Sequence, residues 1–246
     1  MQRRNSKPGL LAVLATLVVV SACTIGGVPV GDLETDSKSV ELGDAKSVRA
    51  EIHMGAGELK VGGGAAKLLD ADFAYNVARW RPEVNYTVTD GQGRLEIRQP
   101  AGAGGMIGNA RYEWDLRFSD SVPLELTVEL GAGRADLTLG SLSLGSLELK
   151  MGAGETLVDL TGSRKNDVTA RIQGGVGKAT VRLPQDVGVR VNAHGGIGSI
   201  NTHGFKRDGD AYVNDAYGKS DVTVRVDVQG GVGEINLELA EAPPVV

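Results

Sequence analysis

Apolar and polar residues alternate along this chain with period two, and the alternation returns in the same phase around a recurring glycine motif. Six Gly-aliphatic-Gly triplets carry it: Gly55-Ala56-Gly57, Gly131-Ala132-Gly133, Gly152-Ala153-Gly154, Gly175-Val176-Gly177, Gly196-Ile197-Gly198 and Gly231-Val232-Gly233. Aligned on the first glycine, the position three before it holds Ile52, Val128, Leu149, Ile172, Ala193 and Val228, and the position five before it holds Ala50, Leu126, Leu147, Ala170, Val191 and Val226. Seven before stand Val48, Leu124, Gly145, Val168, Val189 and Val224. Between these apolar columns run polar ones, among them Glu51, Thr127, Glu148, Arg171, Asn192 and Asp227. Side chains of a strand point alternately to opposite faces, so this pattern predicts strands with one buried face. It resumes after the triplet, as in Ala179, Val181 and Leu183, or Ile235, Leu237 and Leu239. Each copy is therefore strand, glycine corner, strand.

The middle triplets are spaced by 21, 23 and 21 residues, whereas the first spacing is 76 and the last 35. No helical periodicity fills the short intervals. Short strands repeated at such a period cannot close a core singly but do so by stacking, each coil on the next. The glycines fit that reading, because a corner demands backbone conformations closed to residues with a β-carbon while neighbouring coils approach to about 4.8 Å. A β-sandwich with glycine turns is the competing architecture, but its strands seldom repeat in register. The fold class expected is all-β: a parallel β-solenoid, or β-helix, with a small antiparallel β insertion packed at its N-terminal end.

On a 21-residue base the long spacings leave insertions of about 55 and 14 residues, and every aromatic residue lies in one of them. Phe73, Tyr75, Trp80, Tyr86, Tyr112, Trp114 and Phe118 fall in the first; Phe205, Tyr212 and Tyr217 fall in the second. The first contains a hairpin, Val84 to Thr89 and Arg94 to Arg98, joined through Asp90-Gly91-Gln92-Gly93, then a glycine-rich break from Ala101 to Gly108, then a strand around Tyr112 to Phe118. Two roles compete for these rings. They form a core that covers the open first end of the solenoid, the commoner fate of rings at alternating strand positions, or some of them, Trp80, Tyr112 and Trp114 above all, line a ligand surface.

The start of the chain changes the picture. Arg3, Arg4 and Lys7 precede an apolar run from Gly9 to Val20, and small residues Ser21 and Ala22 stand before Cys23. That run of about 12 residues is too short to span a bilayer and has the layout of a secretory signal. Val20-Ser21-Ala22-Cys23 resembles a lipobox, which implies cleavage before Cys23 and lipidation of its sulfur. Cys23 is the only cysteine, so it has no partner for an internal disulfide. The expectations are extracytoplasmic localisation, with the chain lipid-anchored to the cell membrane or outer membrane. The domain plan is a lipoprotein signal peptide over 1–22, lipidated Cys23 and a flexible tether over 23–46, an N-terminal β domain with the aromatic insertion over 47–122, the repeat solenoid over 123–240 and a tail over 241–246. Removing Arg3, Arg4 and Lys7 leaves 23 basic residues against 31 acidic, a formal charge of −8, which argues against nucleic acid as a partner.

Little chemistry is written into the chain. His53 and His194 share a column, two residues before the triplet, that elsewhere holds Glu129, Lys150, Gln173 and Gln229, which reads as a solvated face. His203 has no identifiable partner. The triplets are followed by strands, not by the helix that a dinucleotide fingerprint needs, and Gly177-Lys178 is followed by Ala179 where a phosphate loop has Ser or Thr. Asp208, Asp210, Asn214 and Asp215 cluster without any calcium-loop spacing, and a solvated turn explains them better. No cofactor, metal site or catalytic residue is expected.

The stretches Phe73-Ala74-Tyr75-Asn76, Arg81-Pro82-Glu83-Val84, Tyr112-Glu113-Trp114-Asp115-Leu116 and Val122-Pro123-Leu124, leading into the triplet coils, resemble the toast-rack lipoproteins of unassigned function. The coils are also similar to the C-terminal domain of four-helix membrane regulators that respond to cell-wall antibiotics, and more distantly to β-helical adhesin-like domains. The resemblance implies no catalytic motif, and the four membrane helices of the regulators have no counterpart here. The functions weighed are, in order, a non-catalytic binding or adhesion scaffold with an envelope protein or glycan as partner, an accessory part of envelope-stress sensing, and a carbohydrate-active β-helix enzyme. An enzyme of that kind needs acids meeting on adjacent coils, and the polar columns show no such cluster.

Overall fold

A computed structural model describes residues 30–100 and 109–240. The signal segment, Cys23 and most of the glycine-rich break lie outside the described residues. The chain folds as one 13-stranded sheet: β1 (Glu34–Val40), β2 (Ser47–Gly62), β3 (Leu69–Tyr75), β4 (Glu83–Thr89), β5 (Gln92–Arg98), β6 (Tyr112–Phe118), β7 (Leu124–Thr138), β8 (Leu144–Asp159), β9 (Val168–Pro184), β10 (Gly188–His203), β11 (Lys206–Asp208), β12 (Ala211–Val213) and β13 (Thr223–Ala240). Among the described residues the one helical element is a 3-10 turn, Ala78–Trp80.

Six long strands, β2, β7, β8, β9, β13 and β10, are the coils, and all neighbours among them pair in parallel. Each carries one triplet near its middle, and the triplets stack in register: Ala56 against Ala132, Ala132 against Ala153, Ala153 against Val176, Val176 against Val232 and Val232 against Ile197. The apolar columns are buried on both sides of the corner, for example Leu126, Val128, Ala135 and Leu137 of β7. The core lies between the two arms of the bent sheet. A short third side closes the coils, where Leu139, Leu142 and Leu160 are buried. There the Arg164 guanidinium, most of it withdrawn from water, donates to the carbonyls of Leu139, Leu142 and Leu160 at 3.1, 3.4 and 3.1 Å. Burial pushes its pKa down from the ordinary arginine value.

The coils do not stack in chain order. β13, the last strand in sequence, lies between β9 and β10, so β10 ends the stack. Composition gives the reason. Beyond its corner β13 supplies Ile235, Leu237 and Leu239 to the core columns, where β10 has Ile200, Thr202 and Gly204. The more apolar strand takes the place with neighbours on both sides, and the more polar one takes the end.

Both insertions cap ends. β5 pairs with the first arm of β2, from Ser47 to His53, and β6 with the second, from Glu58 to Gly62, so together they form a half-built coil below the first. β4 backs β5 through a two-residue turn, Asp90-Gly91, with φ of 51° and 77° at its two positions, as a type I′ hairpin requires. β3 and then β1 back β6. The segment expected to be a tether thus contains a paired strand, because Glu34 to Val40 finds an unpaired edge in β3. At the other end β12 covers residues 190 to 192 of β10, and buried Asn214 holds it there, accepting from the Val189 N–H at 2.9 Å and donating to the Val187 carbonyl at 2.7 Å.

Candidate binding surface

The three rings singled out as a ligand surface are core. Trp80, Tyr112 and Trp114 are each 1% exposed. Tyr112 and Trp114 alternate on the inward face of β6, and antiparallel pairing sets Phe73 opposite Trp114, so their rings meet edge to face with centroids 5.5 Å apart. Tyr112 lies 5.4 Å from the Trp80 ring and donates its hydroxyl to the Trp80 carbonyl at 2.6 Å. Burial raises its pKa well above the ordinary phenol value. The expectation that these rings contact a ligand is therefore corrected: the cap's own core consumes them, and none offers an accessible face. Cys23 lies outside the described residues.

A shallow open trough of about 950 Å³ crosses β2, β7, β8 and β9 just before their corners. Its polar rungs are the column read from sequence as a plain solvated face: His53, Glu129, Lys150 and Gln173. Parallel in-register pairing sets those rungs one per coil, about 4.8 Å apart. The side chains of Met54, Leu130 and Met151 beside them turn inward and are 3%, 2% and 8% exposed, and Gln99 with Pro100 closes one end, the Gln99 side-chain oxygen accepting the Gly55 N–H at 2.7 Å. The rungs are linked. His53 Nδ1 lies 3.1 Å from Glu129, and the Lys150 ammonium lies 3.2 Å from Glu129 and 3.1 Å from Glu148. Lys150, together with His53, holds the Glu129 carboxyl below the usual carboxylate range against some desolvation. Hydrogen bonds to Glu148 and Glu129 raise Lys150 in turn. The trough thus presents a row of donors and acceptors across four coils, a surface suited to holding an extended chain.

Residues 30–182 match the N-terminal domain family of toast_rack, DUF2154. The chain belongs to this family. Among solved structures it is similar to one from Clostridium sporogenes described as a "putative cell adhesion protein", with 34% identity, a TM-score of 0.81, and coverage of 85% of this chain and 100% of that one. A structure from Parabacteroides merdae described as a "putative adhesin" is matched over 86% of this chain and 97% of that one at 10% identity and a TM-score of 0.27. A search of curated proteins finds no match. The family match crosses residue 122, and so does the sheet, since β2 and β7 pair from Val48 to Val61.

Sequence reasoning passed over the trough because a column of mixed polar residues reads as solvent-facing, which it is. The neighbouring column carried the missing signal. Immediately before the triplet stand Met54, Leu130 and Met151 in the first three toast-rack coils, but Gly174, Gly230 and Gly195 in the last three. The triplet's middle residue changes in the opposite sense, from Ala56, Ala132 and Ala153 to Val176, Val232 and Ile197. Large side chains fill the corner in one half of the stack; in the other half they stand outside it, with Val176, Val232 and Ile197 exposed by 57%, 46% and 74%. The crevice this leaves inside the second set of corners, about 40 Å³, has room for a few waters and nothing larger. The acidic cluster of the second insertion is used for ion pairs: Asp208 with Arg190 at 2.8 Å and Asp215 with Lys206. Among the described residues no group of three His, Cys, Asp or Glu is arranged to hold a metal.

Proposed function

We propose that this protein is a non-catalytic adhesion scaffold, lipid-anchored outside the cytoplasm through Cys23, that binds an extended envelope polymer, glycan or polypeptide, along the trough. The observation that carries the reading is the trough itself, with four polar rungs from four coils. The relative from Clostridium sporogenes supports it by description and by its extent along the chain. The signal-like start and the lone cysteine support the anchor. Rim charges spaced in this way favour a repeating ligand and suit weak, multiply repeated contacts better than a single tight site.

The test combines a glycan array with a pull-down from envelope membranes, using the lipidated protein and a Glu129→Lys variant that reverses the central rung. Binding lost in the variant, with only a small fall in melting temperature from the lost pairs with Lys150 and His53, is expected. Equal binding by both removes the trough as the site. Alkyne fatty-acid labelling of cells expressing the Cys23→Ser variant tests the anchor, and labelling that persists in that variant would reject it.

A further inference from the structure

The trough has a ruler built into it. His53 pairs in register with Glu129, Glu129 with Lys150 and Lys150 with Gln173, across three parallel ladders with no bulge at these positions. Each rung therefore stands one coil spacing, about 4.8 Å, from the next, on a line that crosses the strands. An occupant lying in the trough runs along the axis of the stack and meets one new rung per coil. Its own repeat must keep step with that spacing if it is to use all four.

The spacing and the lining sort the extended polymers that could lie there. A polypeptide strand turns alternate side chains to one face, about 6.7 Å apart, so it is out of step by the second rung. A polyproline helix repeats at about 9 Å and meets only every second rung, and the grooves that hold it are lined by aromatic rings. No Phe, Tyr or Trp lines this trough. An α-helix has a pitch of about 5.4 Å, nearer to the rungs, but it is held in grooves through an apolar face. Here the large apolar side chains beside the rungs, Met54, Leu130 and Met151, are turned inward and buried. An extended β-1,4-linked glycan advances by nearly one coil spacing per sugar, so successive sugars meet successive rungs.

The chemistry of the rungs agrees. A sugar hydroxyl both donates and accepts, and each rung keeps capacity of both or either kind beyond its contacts with its neighbours. The Lys150 ammonium spends two of its three N–H groups on Glu129 and Glu148. The two Glu129 oxygens each accept from one partner, Lys150 and His53, and each retains a lone pair. His53 Nε2 lies 3.9 Å from Glu51, too far for a hydrogen bond. The Gln173 amide is exposed and makes no hydrogen bond among the described residues. The full charges of Glu129 and Lys150 cancel, so the row favours neither a polyanion nor a polycation. We propose that the trough takes an uncharged β-1,4-linked glycan, one sugar to a coil over the four coils β2, β7, β8 and β9. The proposal rests on the trough being the binding surface and names the class of polymer it holds. With no aromatic ring to stack on, each sugar is held weakly, and affinity accumulates with the number of rungs engaged.

Chain length is the readout. The lipidated protein in phosphatidylcholine vesicles is titrated calorimetrically with cello-oligosaccharides and chito-oligosaccharides of two to six sugars. For at least one series the affinity should rise at least tenfold from two sugars to four and then level off. Maltohexaose, whose α-linked chain curves away from the row, and a proline-rich peptide should bind at least tenfold more weakly than the tetrasaccharide. Gln173→Ala removes the last rung at an exposed position, and should lower the affinity for the tetrasaccharide to that for the trisaccharide at unchanged melting temperature. Binding of neither series, affinity independent of length, or maltohexaose bound as tightly overturns the proposal. A polypeptide captured from envelope membranes and lost with Glu129→Lys, with both sugar series unbound, overturns this proposal and leaves the trough as a binding surface. Sugar binding that survives Glu129→Lys removes the trough itself, and this proposal with it.

Discussion

Replacing Gly154 by alanine should be among the most damaging single-methyl additions this fold can suffer. Gly154 sits at φ 133°, a region closed to L-residues with side chains, and a β-carbon there would lie 2.9 Å from the carbonyl carbon of Gly133 and closer still to its oxygen. The backbone term costs about 1–3 kcal/mol. Relieving the overlap means moving one coil off the next by about an ångström, which forfeits roughly two ladder hydrogen bonds at about 1 kcal/mol each and loosens the core behind them. The sum is about 3–5 kcal/mol. For a chain of this size that is a fall of about 6–20 °C in melting temperature. Gly209→Ala is the control: its φ of 61° is also left-handed, but nothing lies within 4 Å of the added methyl, so only the strain of about 1–2 kcal/mol remains. Thermal melts followed by far-ultraviolet circular dichroism compare the two. If Gly154→Ala melts no lower than Gly209→Ala, close approach of coils is not what these glycines serve, and the account of the corner fails.

Three further outcomes follow from burial and charge. Val191→Asp places an unpaired carboxylate at a fully buried position and should cost several kcal/mol, whereas Asn192→Asp, one residue on and half-buried on the outer face, should change stability by under about 1 kcal/mol; equal denaturation midpoints would refute the assigned register. Trp114→Ala should cost about 3–5 kcal/mol, and both tryptophans of the folded protein should resist acrylamide quenching; strong quenching with little loss of stability would return these rings to the surface. Because Lys150 holds the Glu129 pKa below its ordinary value of about 4.5, the stabilisation from this pair is fully present above that pH and lost as pH falls through the lowered value; the stability gap between wild type and Lys150→Met, small for so exposed a pair, should be flat from pH 5 to 7 and shrink below pH 4.5, and a gap that widens in acid would contradict the pairing.

What the sequence determined by itself is whatever repeats or alternates locally. Period-two columns fixed which faces of the coils are buried, the triplets fixed the corners, Asp90-Gly91-Gln92-Gly93 marked the hairpin although Gln92 and Gly93 belong to its second strand, and a strand was legible around Tyr112 to Phe118. Each of these depends on near neighbours in the chain or on identical surroundings in every coil. Tertiary structure decided the rest. That β13 slides between β9 and β10 depends on how much core each strand offers relative to the other, a comparison no local pattern makes. Whether Trp80, Tyr112 and Trp114 face a ligand or a core was undecidable from alternation, since their neighbours come from distant segments: Phe73 meets Trp114 and Trp80 meets Tyr112 only in the folded cap. The trough arose in the same way: His53, Glu129 and Lys150 are ordinary polar residues 76 and 21 positions apart, and only parallel stacking in register brings them within hydrogen-bond reach. The open edge of β10 exists because the second insertion covers one arm and leaves the other bare, which is a property of the assembled stack and of no single segment.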